Sequence, residues 1–157
     1  IIREDMLDRV VRDLPTMVSF RTHVENGSMF NTPPVFPIYV LMETLRWLKS
    51  IGGVPEIYRR NKEKAALLYD EIDRNPLFRG TVDKQDRSLM NICFVMADGY
   101  EELAPEFMEF TKERGIVGIK GHRLVGGFRA SCYNALPKES VEVLVECMQE
   151  FAAKHAK

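Results

Sequence analysis

Hydrophobic residues recur at helical spacing over five stretches of the chain, several of them bounded by proline or glycine. The pattern predicts helices over residues 6–14, 33–51, 54–73, 100–114 and 137–153. The segment 16–28 has no strong period, so it is predicted to be a connector with an extended patch at 17–20. These stretches indicate a helix-rich chain with irregular structure near its beginning.

Two of these helices are predicted to have a buried face and a solvent-exposed face. The residues of the last helix that are predicted to face the core are Val141, Leu144, Val145, Met148 and Phe151. In the helix over 54–73, a charge run that includes Lys62 and Lys64 is predicted to lie mostly on a solvated face.

Strand-forming residues are concentrated in the second half of the chain. They predict strands over residues 78–82, 89–97, 116–119 and 128–133. From residue 78 onward the predicted order is therefore strand, strand, helix, strand, strand, helix. This order is typical of a two-layer α+β unit with helices on one face of a mostly antiparallel sheet.

The start of the helix over 33–51 has an unusual composition. Pro33 and Pro34 suit the first turn of a helix, and the residue before a proline is pushed out of helical geometry, so Thr32 is predicted to be the cap. The positive end of the helix dipole would then face Asn31 and Thr32, which offers a seat for a phosphate group. The pattern alone leaves open whether this is a phosphate site or simply a capped helix.

Composition and charge limit the classes of protein to which this chain can belong. The chain has 157 residues, 45% hydrophobic and 29% charged, with a formal net charge of -1, typical of a soluble globular protein. This near-neutral balance argues against a general nucleic-acid binder. Cys93, Cys132 and Cys147 are few and unclustered, so we expect a reducing, cytoplasmic setting with no disulfide framework and no metal site. The first residue is Ile1 rather than Met, so we expect a piece of a longer protein.

Positive charge is nevertheless concentrated in one stretch. Between Glu113 and Glu139 there is no acidic residue, while the basic side chains there are Arg114, Lys120, His122, Arg123, Arg129 and Lys138. Guanidinium forks suit carboxylates and phosphates, and the glycines of the stretch permit sharp turns and close approach to a ligand. Composition alone leaves two interpretations open, a pocket for a small multiply charged anion and a solvated basic turn.

The motifs FNTPP at 30–34, WLK with GG at 47–53, and KGHRLVGGFRAS with YNA at 120–135 together resemble the phosphoserine aminotransferase family. The resemblance implies an α/β fold, that of the fold-type I, class V, pyridoxal-phosphate-dependent transferases. Residues 1–50 would be the end of the large cofactor-binding domain, and residues 51–157 the small C-terminal α+β domain. It also implies a cytoplasmic homodimer that transfers an amino group from glutamate to 3-phosphohydroxypyruvate in serine biosynthesis, giving phosphoserine and 2-oxoglutarate. A pyridoxine-biosynthesis substrate is implied for bacterial members.

The resemblance also implies roles for five residues. Arg129 matches the anchor of the substrate α-carboxylate, and His122 and Arg123 match the residues that hold the distal phosphate or carboxylate. Asn31 and Thr32 match a pair that reaches across the dimer interface to the cofactor phosphate.

The lysine that forms the Schiff base with the cofactor lies, in the family, upstream of the residues that resemble 1–5. We therefore expect the complete protein to be a transaminase and this chain alone to be inactive. The alternative is a free-standing α+β module that binds a small phosphorylated metabolite or an amino acid. A third class, single-stranded nucleic-acid binding through Phe128 and Tyr133, is disfavoured because the basic stretch is short and no stacking platform is evident.

Overall fold

The computed structural model describes residues 2–155 of the chain. These residues divide into two units, one that ends at Trp47 and one that begins at Leu48. The predicted boundary after residue 50, and the assignment of the first part to the end of a large domain, remain predictions. No helix within residues 2–155 is long and apolar enough to span a bilayer.

The first unit begins with short helical segments that contain no buried residue. Two 3-10 segments span Glu4–Arg9 and Thr16–Val18, and helix α1 spans Phe20–Glu25. The predicted helix over 6–14 is wrong beyond Arg9, and the predicted extended connector is wrong because α1 lies within it. An apolar period stabilises a short helix only where its apolar face packs, and here no such face is buried.

Two long helices follow at the predicted places. Helix α2 spans Val35–Ser50 and helix α3 spans Gly53–Arg74. Because Pro34 directly precedes the first residue of α2, the prediction that Thr32 caps this helix is wrong. The prediction that Lys64 faces solvent is also wrong: Lys64 is 2% exposed, one turn before the buried Leu68 on the same face of α3.

The sheet of the second unit has three antiparallel strands in the order β1-β2-β3. Strand β1 spans Phe78–Gly80, β2 spans Asn91–Met96 and β3 spans Phe128–Ser131. The predicted strand over 116–119 is wrong, because that stretch forms no strand and the residue after it, Lys120, makes only an isolated bridge with Phe128. Gly115 and Gly118, with φ of 76° and 75°, interrupt the extended conformation on both sides of Ile116.

Helices α4, Ala104–Glu113, and α5, Lys138–His155, complete the second unit. The five residues of α5 that were predicted to face the core are all buried. A cluster of aromatic rings joins the strands to the helices, with centroid separations of 4.9 to 5.7 Å between Phe78, Phe94, Phe107, Phe128 and Phe151. The two-layer α+β prediction is confirmed, with one strand fewer than expected.

Candidate functional site

The basic loop, residues 121–127, projects from a short antiparallel neck beside β3. The Arg129 N–H donates to the Ile119 carbonyl at 2.8 Å, and the Gly121 N–H donates to the Gly127 carbonyl at 2.8 Å. These two bonds close the loop at its base and connect it to the sheet. The loop is therefore held at its two ends by main-chain hydrogen bonds that do not involve its side chains.

Two glycines make this neck possible because the chain approaches itself closely there. A Cβ on Gly121 would lie 1.9 Å from the Gly126 carbonyl oxygen. Gly127 has a φ of 62°, and a Cβ there would lie 2.6 Å from a Val95 methyl carbon and 2.7 Å from the Phe94 carbonyl oxygen. Gly121 is thus required by the close approach of the two ends of the loop, and Gly127 by the packing of the loop against β2, independently of any ligand.

His122 and Arg123 lie on the exposed part of the basic loop. The His122 carbonyl accepts hydrogen bonds from the Val125 and Gly126 N–H groups at 2.9 and 2.8 Å, which fold the loop into a turn. The ring atom Nδ1 of His122 accepts from the Leu124 N–H at 3.3 Å. In a neutral imidazole with Nδ1 as the acceptor, Nε2 carries the proton, so the outer nitrogen is a donor suited to an anionic oxygen.

Arg129 occupies the middle of β3, opposite Cys93 of β2, and is half-buried. Its Nε is buried and has no hydrogen-bond partner within residues 2–155. A buried donor without an acceptor costs about 1–3 kcal/mol. An acceptor supplied by a ligand, such as a carboxylate, would remove that penalty and make a charge-assisted bond.

A cavity of about 370 Å³ lies along the outer side of β3. Its wall includes Arg129, Ser131, Cys132 and Leu136 from β3 and the segment after it, and Ser140 from the first turn of α5. Neither His122 nor Arg123 is among its lining residues in the described part of the chain. Of the three predicted substrate anchors, Arg129 alone therefore lines this cavity within residues 48–155.

Asn31 and Thr32 lie in the first unit, in an exposed bend before α2. The Asn31 side-chain amide donates to the Thr32 carbonyl at 3.4 Å. The first turn of α2 offers few amides to an anion, because Pro34 and Pro37 have no N–H and the Val35 N–H donates to the Pro33 carbonyl at 2.8 Å. A phosphate here would therefore depend mainly on Asn31 and Thr32 rather than on the end of the helix.

Two polar residues that hold the segment after β3 were not predicted from the sequence. Lys64 and Asn61, both buried, donate from α3 to main-chain and side-chain oxygens of residues 132–136. The signal was present in the sequence, because both positions share the helical stripe of Ile57 and Leu68. No cluster of His, Cys, Asp or Glu side chains within residues 2–155 is suited to hold a metal ion.

Comparisons with known proteins give a consistent result. The family model for class-V aminotransferases matches residues 10–144. Phosphoserine aminotransferase from Phocaeicola vulgatus is 62% identical over 156 residues, which are 99% of this chain and 44% of the relative. The corresponding enzyme of Bacteroides thetaiotaomicron is 61% identical over 155 residues, again 99% of this chain and 44% of the relative. The chain thus spans less than half the length of these curated relatives.

Solved structures agree with the sequence relatives. Phosphoserine aminotransferase from Bacillus circulans subsp. alkalophilus has a TM-score of 0.89 and 46% identity over 99% of this chain and 43% of that one. A pyridoxal-phosphate-bound phosphoserine aminotransferase from Trichomonas vaginalis has a TM-score of 0.84 and 42% identity over 94% of this chain and 42% of that one. The resemblance and the fold class predicted from the motifs are confirmed.

Proposed function

Because this chain belongs to the class-V aminotransferase family, we propose that it supplies the substrate-anchoring part of a phosphoserine aminotransferase. The complete protein transfers an amino group from glutamate to 3-phosphohydroxypyruvate and releases phosphoserine and 2-oxoglutarate. The observation that carries the proposal is the buried Nε of Arg129, which has no hydrogen-bond partner among residues 2–155 and lies beside a cavity, at the motif position of the α-carboxylate anchor.

The two substrates place matching demands on the site. Glutamate and phosphoserine both carry an α-carboxylate at one end and a second anion at the other. Arg129 binds the α-carboxylate through its guanidinium, and that contact fixes the orientation of the Cα–H bond. His122 and Arg123, on the exposed basic loop, bind the distal carboxylate or phosphate, and one set of anchors can therefore accept both amino donors in turn.

Pyridoxal phosphate fits the polar bend before α2. Asn31 and Thr32 carry exposed amide and hydroxyl groups there, where few helix amides are available, and they would hold the cofactor phosphate across the interface of a homodimer. When bound, the cofactor supplies the electron sink that amino transfer requires. The residues of this chain bind and orient; the lysine that moves the proton lies, by the family resemblance, upstream of residue 1.

We place the complete enzyme in the cytoplasm as a homodimer with small anionic substrates and no nucleic-acid or membrane partner. The three free cysteines support a reducing compartment. Sedimentation of the complete protein tests the assembly, and a monomeric active enzyme would contradict it.

Replacing Arg129 by lysine in the complete protein tests the anchor. Lysine keeps the charge and loses the planar fork, so kcat/KM should fall for both glutamate and phosphoserine by the equivalent of about 1.5–3 kcal/mol. Arg79→Lys is the matched control, since Arg79 lies on β1 with an exposed side chain paired to Asp98. Unchanged kinetics in Arg129→Lys, or an equal loss in Arg79→Lys, would count against the role.

One observation favours the alternative of a free-standing binding module. The second unit has a hydrophobic core of its own and carries Arg129 and the basic loop. Titration calorimetry of the 157-residue chain with phosphoserine distinguishes the two proposals, because a sensor binds alone. We expect no binding and no transamination by this chain, and saturable binding of phosphoserine by the 157-residue chain would favour the module.

A further inference from the structure

The segment after β3, residues 132–136, is tethered to α3 by buried polar side chains. Lys64 Nζ donates to the carbonyl oxygens of Tyr133 at 2.7 Å, Leu136 at 3.0 Å and Cys132 at 3.4 Å. We call residues 132–136 the tethered turn. One ammonium group thus makes contacts with three carbonyls of a single turn.

The surroundings of Lys64 are unusual for a lysine. It is 2% exposed, and no carboxylate pairs with it among residues 2–155. Burial lowers the pKa of Lys64 below its ordinary value. A charge without an acidic partner is rarely buried unless its donors are satisfied, and here the three N–H donors match three carbonyl acceptors in number.

A second buried residue reinforces the same turn. Asn61, one helical turn before Lys64 on α3, donates from its side-chain amide to Asn134 Oδ1 at 2.8 Å. Within the tethered turn, the Leu136 N–H donates to the Tyr133 carbonyl at 3.0 Å. The turn is therefore held both internally and from α3.

The tethered turn is connected directly to the proposed substrate anchor. Cys132 immediately follows β3, and Arg129 lies within β3, three residues before Cys132. Cys132 and Leu136 line the same cavity as Arg129. Their carbonyl oxygens also accept hydrogen bonds from Lys64. A shift of the turn would therefore move the cavity wall and the end of the strand that carries the anchor.

We propose that Lys64 is a positioning residue for Arg129, because it fixes the tethered turn, the C-terminal end of β3 and one wall of the substrate cavity. This inference rests on the proposed function of Arg129 as the carboxylate anchor. Lys64 acts through the main chain of residues 132–136 and does not contact substrate.

The test compares Lys64→Met with Lys62→Met in the complete protein. Methionine is similar in length to lysine but cannot donate, so the three carbonyls lose their partner. Lys62 lies on the exposed face of the same helix over the Tyr58 ring, so its replacement is the matched control. We expect Lys64→Met to raise KM for glutamate at least tenfold with less than a threefold change in kcat, and Lys62→Met to change neither.

Amide hydrogen exchange supplies a readout that does not depend on activity. The Cys132 N–H donates to the Met90 carbonyl at 2.7 Å, so this amide and that of Leu136 report on the tethered turn. Both should exchange faster in Lys64→Met and at the wild-type rate in Lys62→Met. If Lys64→Met does not fold, Asn61→Ala, which removes only the bond to Asn134, should give a smaller rise in KM with the same faster exchange.

The possible outcomes separate the role of Lys64 from the proposed function of the complete protein. A lower melting temperature with an unchanged KM in Lys64→Met would show a purely structural lysine and overturn the proposal. Wild-type exchange at residues 132–136 in that variant would overturn it as well. A wild-type protein without transaminase activity would instead contradict the proposed function, and the exchange comparison would still decide whether Lys64 fixes the turn.

Discussion

The two units of the chain differ in how far their hydrophobic side chains are buried. Within residues 48–155, 20 buried hydrophobic residues form one core between the sheet and the helices. Residues 2–50, which include both 3-10 segments before α1, α1 itself and α2, contain no buried residue, and Phe36 is 75% exposed. Helix α2 thus leaves large apolar side chains exposed, although it also carries the ion pair between Arg46 and Glu43.

The same contrast divides the proposed functional residues. Arg129 and the basic loop are attached to the unit with its own core, whereas Asn31 and Thr32 lie in the unit without one. The core fixes the strand that carries Arg129, whereas the bend that carries Asn31 and Thr32 is exposed. The following predictions test this difference, in order of decreasing effect.

Separating the chain between α2 and α3 should give one folding and one non-folding piece. Residues 52–157 should unfold cooperatively on heating, because they contain the whole core. Residues 1–50 should show no cooperative transition, because they bury no apolar face. Circular dichroism of both fragments checks this, and a sharp transition in residues 1–50 would contradict the contrast.

Removing a phenylalanine should matter in one unit only. Phe107→Ala should destabilise the chain by about 3–5 kcal/mol, because this fully buried ring contacts Phe78, Phe128 and Phe151. Phe36→Ala should change the free energy of unfolding by less than about 0.5 kcal/mol. Urea unfolding of the 157-residue chain measures both, and similar losses in the two variants would show that the first unit has a core after all.

Thiol labelling should report how tightly the core of the second unit is packed around its cysteines. Burial raises the pKa of Cys147 to about 11 and also raises the pKa of Cys132. At pH 8 the thiolate population of Cys147 should therefore be about a hundredfold below that of an ordinary thiol. We expect a disulfide reagent to label the half-buried Cys93 first, and Cys93→Ser should abolish the fast phase. Rapid labelling of two or three thiols would indicate a loosely packed core.

The smallest expected effect concerns surface ion pairs. Arg87, with Lys84 as a second partner, lowers the pKa of Asp73 to about 2. Because this folded-state pKa is depressed, the pair stabilises the fold above the unfolded pKa, and that stability is lost as pH falls from about 4 toward 2. Asp73→Asn should cost on the order of 1 kcal/mol at pH 7 and flatten the pH dependence below pH 4.

The first unit supplies the matched control for this pair. Asp8 pairs with Arg21 at 2.5 Å, but its side chain is 82% exposed, so Asp8→Asn should change stability by no more than a few tenths of a kcal/mol. Urea unfolding at pH 7 and pH 3 checks both variants. An equal loss of unfolding free energy in Asp8→Asn and Asp73→Asn would show that the ion pairs of the two units do not differ in strength.

Sequence reasoning worked best where local pattern and packing agree. The buried face of α5 and the alternation of β2, with Ile92, Phe94 and Met96 buried, follow the periods of a helix and a strand. It failed over residues 10–14, where a helical period has nothing to pack against, and over 116–119, where two left-handed glycines interrupt an extended run. The ligand roles of Asn31, Thr32, His122, Arg123 and Arg129 remain predictions.

The sequence by itself determined the order and extent of most elements in the second unit, and its motifs determined the family. Only the tertiary structure decided which carbonyls Lys64 binds, that Gly127 must lack a side chain, and that Arg129 lines a cavity. The physical reason is range: helical and strand periods are local, whereas the acceptors of Lys64 lie 68 to 72 residues away along the chain. Such partners are set by how the layers pack, which no spacing within α3 can reveal.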